Sequence, residues 1–201
     1  MVTVSTSNST ARSYHHGDLR TALVEAGMTA LETTAMADLS LRQLAREVGV
    51  SATAVYRHFP DKQALLRALA ETGLEQLGRY QQAAAEQSKP GAAFAVTGQA
   101  YVRWALAHPA LFRLIFACKD PVGETVFGQS LAARMLQDYA RSVTASPDEA
   151  ERLVVQSWAV VHGLAMLMLD GQLPPSEALI GRVIDPVKLF ALQGKSSDPS
   201  P

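Results

Sequence analysis

Residues 39–62 constrain the fold more than any other stretch of this chain. Leu41, Leu44, Ala45 and Val48 recur at helical spacing and draw one apolar stripe over two turns. Ser40 stands before them as an N-cap, its hydroxyl expected to accept from an otherwise orphan backbone N–H. Gly49 falls where that helix must stop, because glycine enters the left-handed conformation without a Cβ clash. Ser51 offers a second N-cap, and Ala54, Val55 and Phe59 turn a second short helix toward the same core. Pro60 closes it, since proline disfavours helical geometry in the residue before it. Two short helices on a glycine turn form a helix-turn-helix, and the second helix of such a pair can enter a DNA major groove.

An ordinary helical hairpin inside a bundle has the same outline, and the outer face of the second helix separates the two readings. Ser51, Ala52 and Thr53 keep its leading end small, which lets the backbone approach base edges. Tyr56, Arg57 and His58 follow with hydrogen-bonding tips suited to phosphates. A packed hairpin has no use for this combination. Asp61 caps the next helix, and Lys62 in its first turn is placed to bind a phosphate.

These residues resemble the tetracycline-repressor (TetR/AcrR) family of one-component bacterial regulators. The resemblance rests on Tyr14-His15-His16-Gly17-Asp18-Leu19-Arg20, on residues 41–50, and most specifically on Val55-Tyr56-Arg57-His58-Phe59-Pro60-Asp61-Lys62 with Leu65-Leu66. It implies an all-α chain: a three-helix DNA-binding head, then a larger helical bundle for ligand binding and dimerisation. It also implies phosphate contact for Tyr56 and Lys62, and base or backbone contact for Arg42 and Thr53. Family members often carry a larger polar residue where this chain has Ala52, so direct readout there is limited to a thymine methyl. The later chain is less specifically similar, although residues 158–163 look like the Trp-His-Gly segment of one subgroup.

Charge adds little to the DNA reading. The net charge is −1, and residues 12–67 carry seven bases against six acids. Contact must therefore rest on geometry and on few cations. Hydrophobic residues make up 48% of the 201 and charged residues 18%, which excludes a disordered chain. The single cysteine, Cys118, allows no intramolecular disulfide and fits a reducing compartment. The N-terminus lacks the basic start and apolar core of a secretory signal, so a cytoplasmic protein is expected.

Along the chain, residues 1–13 read as a mobile arm from which Arg12 could reach a minor groove, or which does nothing. The head occupies 14–75, the ligand-binding and dimerisation bundle 76–192, and a disordered tail 193–201. A first helix over 18–34 buries Leu19, Leu23, Ala26, Ala30 and Leu31. A long helix over 62–86 buries Leu65, Leu66, Leu69, Leu74 and Leu77, with Gly73 and Gly78 inviting a bend. Ser88-Lys89-Pro90-Gly91 breaks the pattern and marks the sharpest boundary in the chain. Helices are then expected over 92–107, shortly after Pro109, and over 124–143. Ser146-Pro147-Asp148-Glu149 opens another that reaches about Asp170, and Ser176 caps a last one ending near Leu192.

Residues 153–169 are apolar on almost every side. A membrane span needs roughly 17–25 such residues, and Gln156, Ser157 and His162 would be costly in lipid. A helix hydrophobic all round must instead be covered on both sides. Val154 and Val161 here, with Leu179, Val183, Val187 and Phe190 on the last helix, are the expected contacts of a homodimer's four-helix interface.

Trp104, Phe112, Phe116, Met135, Tyr139, Trp158, His162 and Met166 supply aromatic and soft side chains for a small-molecule pocket, or simply fill a core. His162 would fix a ligand or bond a neighbouring carbonyl. Gly163 beside it would permit a close helix approach. Ser157 and His162 lie about 140° apart around their helix and form no dyad within it. No phosphate loop, acid–base pair or metal spacing is visible; His15 and His16 alone are a weak metal signal, and Cys118 beside Lys119 a weak thiol one. The expected protein is thus a non-enzymatic, cofactor-free homodimeric repressor that binds a palindromic operator and releases it for a small, largely apolar effector. A constitutive DNA-binding dimer, and a helical carrier or enzyme, are the alternatives.

Overall fold

The computed structural model describes residues 19–117 and 126–185. Among these the chain is all-helical, with α1 (Leu19–Leu31), α2 (Leu41–Val48), α3 (Ala52–His58), α4 (Lys62–Glu86), α5 (Ala93–Ala107), α6 (Pro109–Ala117), α7 (Leu131–Val143), α8 (Pro147–Leu169) and α9 (Glu177–Val183). Arg12, His15, His16, Cys118, Lys119, Val187, Phe190 and the tail lie outside the described residues.

The first three helices fold over the start of α4. Leu23, Val55, Leu65 and Leu69 are fully buried, with Leu44 and Phe59 nearly so. Full burial stabilises each such side chain by about 1.5–3 kcal/mol. Ala26 and Ala30, expected inside, are half-buried, while Val24 and Gly27 take the closer position. The Arg20 guanidinium carbon lies 5.4 Å from the centre of the Phe59 ring, joining α1 to the end of α3.

From there α4 runs without interruption into the second half, where α5, α6 and α7 pack along it. All five leucines expected on its inner face are buried. Its glycines mark close approaches. A Cβ on Gly73 would stand 2.8 Å from Leu111 Cγ, and one on Gly78 would stand 2.9 Å from Leu131 Cβ and 3.2 Å from the Ala132 backbone nitrogen. The apolar core is continuous from Leu19 to Ile184. Beyond α4, α8 packs on α5 and α7, while the Arg103 guanidinium grips the Glu177 carboxylate at 2.8 and 2.9 Å to hold α9 on α5.

Most helix ends follow their caps: Ser51, Asp61, Ser146 and Ser176 each accept from the backbone N–H three residues on. Several expectations need correction. The first helix stops at Leu31, and a 3-10 turn at Met36–Asp38 precedes α2. Ser40 holds the N-cap position in extended backbone, but its side chain makes no capping bond. The helix expected over 124–143 is divided, because Ser130 caps α7 by accepting from Ala133 N–H at 3.0 Å and a 3-10 turn, Val126–Gln129, comes before it. α9 ends at Val183, with Ile184 as C-cap just before Asp185-Pro186, and the stretch from 186 to Leu192 expected to continue it lies outside the described residues.

Candidate nucleic-acid interface and interior cavity

The turn between α2 and α3 is set by Gly49. At φ 77° it lets its own N–H reach the Arg46 carbonyl at 3.2 Å while the Val50 N–H reaches the Ala45 carbonyl at 2.8 Å. This pair of bonds ends a helix through a left-handed residue. Ser51 Oγ then accepts from Ala54 N–H at 3.2 Å to start α3, and Phe59 N–H closes it on the Val55 carbonyl at 2.9 Å. With Val55 and Phe59 plugged into the core, the rotation of α3 is decided. Thr53, Tyr56 and Arg57 point outward and are exposed, with Tyr56 at 44%. Arg42 and Ser51 are also exposed, and Ala52 and His58 are half-buried. The Lys62 ammonium donates to the Ala37 carbonyl, pinning the 3-10 turn to α4 and leaving two further N–H donors.

The second half holds a cavity of about 150 Å³, partly open to solvent, between α4, α5, α7 and α8. Three of the eight expected lining residues face it: Met135, Tyr139 and Trp158. Trp104 and Phe112 are buried in the core, Phe116 and Met166 pack against it, and His162 is engaged elsewhere. Phe94, Tyr101, Thr97, Gln81 and Ser157 also line it and were not anticipated. Gln81 and Ser157 had a readable signal. Gln81 continues the inward row of Leu74 and Leu77, and Ser157 follows Leu153 by one turn, so each is a polar residue on an apolar face.

Tyr101 organises the wall beside the cavity. Trp158 Nε1–H donates to its oxygen at 3.4 Å, and that oxygen lies 2.9 Å from His162 Nδ1. Burial pushes the Tyr101 phenol above its usual range, only partly offset by the Trp158 bond, so it keeps its proton. Burial also lowers the His162 imidazole, which favours the neutral ring and an Nδ1 that accepts. Gln81 Nε2 donates to the Thr97 carbonyl at 3.0 Å. Gln81 Oε1 and Ser157 Oγ are buried and have no hydrogen-bond partner. Ser157 therefore does not pair with His162, and among the described residues no three His, Cys, Asp or Glu cluster as metal ligands.

The apolar row that α8 turns outward is not the one expected. Val154 packs toward Ala140, Ala150 and Leu153, and Val161 lines the cavity. Leu179 and Val183 lean on the core. Val155 and Leu167 are the exposed large residues, at 56% and 46%, and Ala159 is exposed between them. Gly163 continues this four-residue row, and a Cβ on it would meet nothing within 4 Å in its own chain. The close approach expected at Gly163 is thus not made within the subunit. By length and composition α8 could cross a membrane, with 22% of its most apolar window buried.

Comparison with known proteins places both halves. Residues 23–69 match the family described as bacterial regulatory proteins, tetR family, and residues 94–186 match a tetracyclin repressor-like C-terminal domain. A Rhodococcus sp. RHA1 protein of unknown function is 35% identical, with a TM-score of 0.69 over 86% of this chain and 93% of that one. A tetR-family transcriptional regulator from Streptomyces coelicolor is 21% identical (TM-score 0.67, covering 88% and 82%). A TetR family transcription regulator from Marinobacter aquaeolei VT8 is 18% identical (TM-score 0.60, covering 84% and 92%). The Trp-His-Gly likeness rests on residues 158–163 alone.

Proposed function

Because this chain belongs to the TetR family of bacterial regulatory proteins, we propose that it is a cytoplasmic one-component repressor that binds a palindromic operator as a homodimer and leaves it when a small effector fills each cavity. The observation that carries the reading is the uncovered outer face of α3, where Thr53, Tyr56 and Arg57 stand exposed on a helix whose rotation Val55 and Phe59 hold. Arg42 and Ser51 border that face, and Lys62 flanks it with two donors to spare. Thr53 and Ala52 would meet base edges; Tyr56, Arg57, His58 and Lys62 would meet phosphates.

The outward face of α8 supports the same reading. The row Val155, Ala159, Gly163 and Leu167 repeats every four residues, the ridge on which two helices interlock at about −50°. Its small middle lets two α8 helices approach closely and covers the apolar surface that one chain leaves open. Two heads would then sit about 34–36 Å apart, in successive major grooves. No catalytic role is part of this reading.

Gel-shift titration against DNA upstream of the gene tests it. The protein should bind one duplex per dimer, and Tyr56→Ala with Arg57→Ala should weaken binding by more than about tenfold and flatten the salt dependence. Indifference to every duplex at low salt would sink the proposal.

A further inference from the structure

Two polar residues that line the cavity each keep a side-chain atom that the fold itself leaves unused. Gln81 Oε1 and Ser157 Oγ are the only buried side-chain atoms without a hydrogen-bond partner among the described residues, and both residues line this one cavity. Gln81 is 9% exposed and Ser157 8%. Buried polar groups are nearly always paired, so two orphans on residues that line one space point to an occupant that pairs them.

The chemistry of that occupant follows from its neighbours. The Gln81 amide is oriented by its N–H bond to the Thr97 carbonyl, so the atom left over is an acceptor that needs a donor. The Thr97 hydroxyl is spent on the Phe94 carbonyl at 2.9 Å, and the Tyr101 hydroxyl lies between Trp158 and His162. Of the two unpartnered atoms, Ser157 Oγ can both give and accept. Among the described residues no charged side chain lines the cavity, so a carboxylate or an ammonium would meet no counter-charge from them. The walls are Phe94 stacked on Tyr139 at 4.3 Å, with Tyr101, Trp158 and Met135. A volume of about 150 Å³ matches an apolar cavity known to take benzene.

We propose that the cavity binds a neutral single-ring phenol, its O–H donating to Gln81 on α4 and its oxygen accepting from Ser157 on α8. This rests on the ligand-responsive reading and specifies it. The phenol ties α8 to the same helix that begins at Lys62 beside the recognition helix, so occupancy bears on the head through α4.

Calorimetric titration of the full-length protein with p-cresol, p-xylene and p-toluate tests the assignment, with gel shifts run in parallel. p-Cresol should bind at least about tenfold more tightly than p-xylene of the same size, as two added buried hydrogen bonds imply, with p-toluate weakest. Gln81→Leu should bring p-cresol and p-xylene near parity. Ser157→Ala, which removes one atom, should narrow the gap should the larger change disturb folding. Equal affinities in the unmodified protein, or selectivity unchanged in both variants, would overturn the phenol assignment. If none of the three binds, the assignment and the cavity's effector role both fall. If p-cresol binds selectively without changing duplex affinity, the phenol site stands and the ligand-responsive reading falls.

Discussion

Replacing Tyr101 with phenylalanine removes the oxygen that bonds both the Trp158 N–H and His162 Nδ1 and leaves the latter without this partner. Leaving buried groups unpaired costs about 1–3 kcal/mol. Urea denaturation of Tyr101→Phe should show a loss in that range, with helical content retained. His162 adds a pH dependence whose sign follows from its burial. Its folded-state pKa lies below the ordinary 6.5, so the unfolded chain binds more protons as the pH drops beneath that value. Thermal stability should therefore hold above pH 6.5 and decline below it, and His162→Gln should shallow the decline. Trp158 and His162 were visible in the sequence as one helical face. Their junction was not, because Tyr101 comes from a helix more than fifty residues away and local spacing carries no information about that meeting.

At the level of helices, the glycines divide into two kinds. Gly78 lies against the backbone of α7, so Gly78→Ala must force α4 and α7 apart and should cost about 1–3 kcal/mol in chemical denaturation. Gly163 has nothing near it within its chain, so Gly163→Leu should leave the subunit folded but weaken the dimer, as sedimentation would show. Caps made most helix ends legible: Ser51, Asp61, Ser146 and Ser176 announce their helices by residue type. Close approaches were not legible. Gly73 and Gly78 read as weak points in a long helix, since propensity reports the helix itself and not the Leu111 or Leu131 that comes to lie against it. The rotation of α8 within the subunit was not legible for a related reason. A helix apolar all round offers no stripe to orient it, and only packing on α5 and α7 turned Val154 and Val161 inward.

Across the molecule, α4 is the element shared by the two halves. Leu65 and Leu69 belong to the head's core and Gln81 to the cavity. Glu75→Gly with Gln76→Gly would soften it between them, at exposed positions, for about 1 kcal/mol each. Effector and duplex should each still bind this variant, while the effect of one on the other shrinks; paired titrations measure that linkage. The head, the bundle and the long helix over 62–86 between them could be read from motif and periodicity, but the packing of α5, α6 and α7 along that helix depends on contacts that no local pattern encodes. That unbroken helix also bears on the dose-response of the proposed two-headed repressor. An operator with two half-sites needs both heads in phase, so one occupied protomer is enough to spoil the grip of the pair. Gene expression should then rise ahead of the fraction of protomers filled, and a cell would register traces of the compound well before saturation.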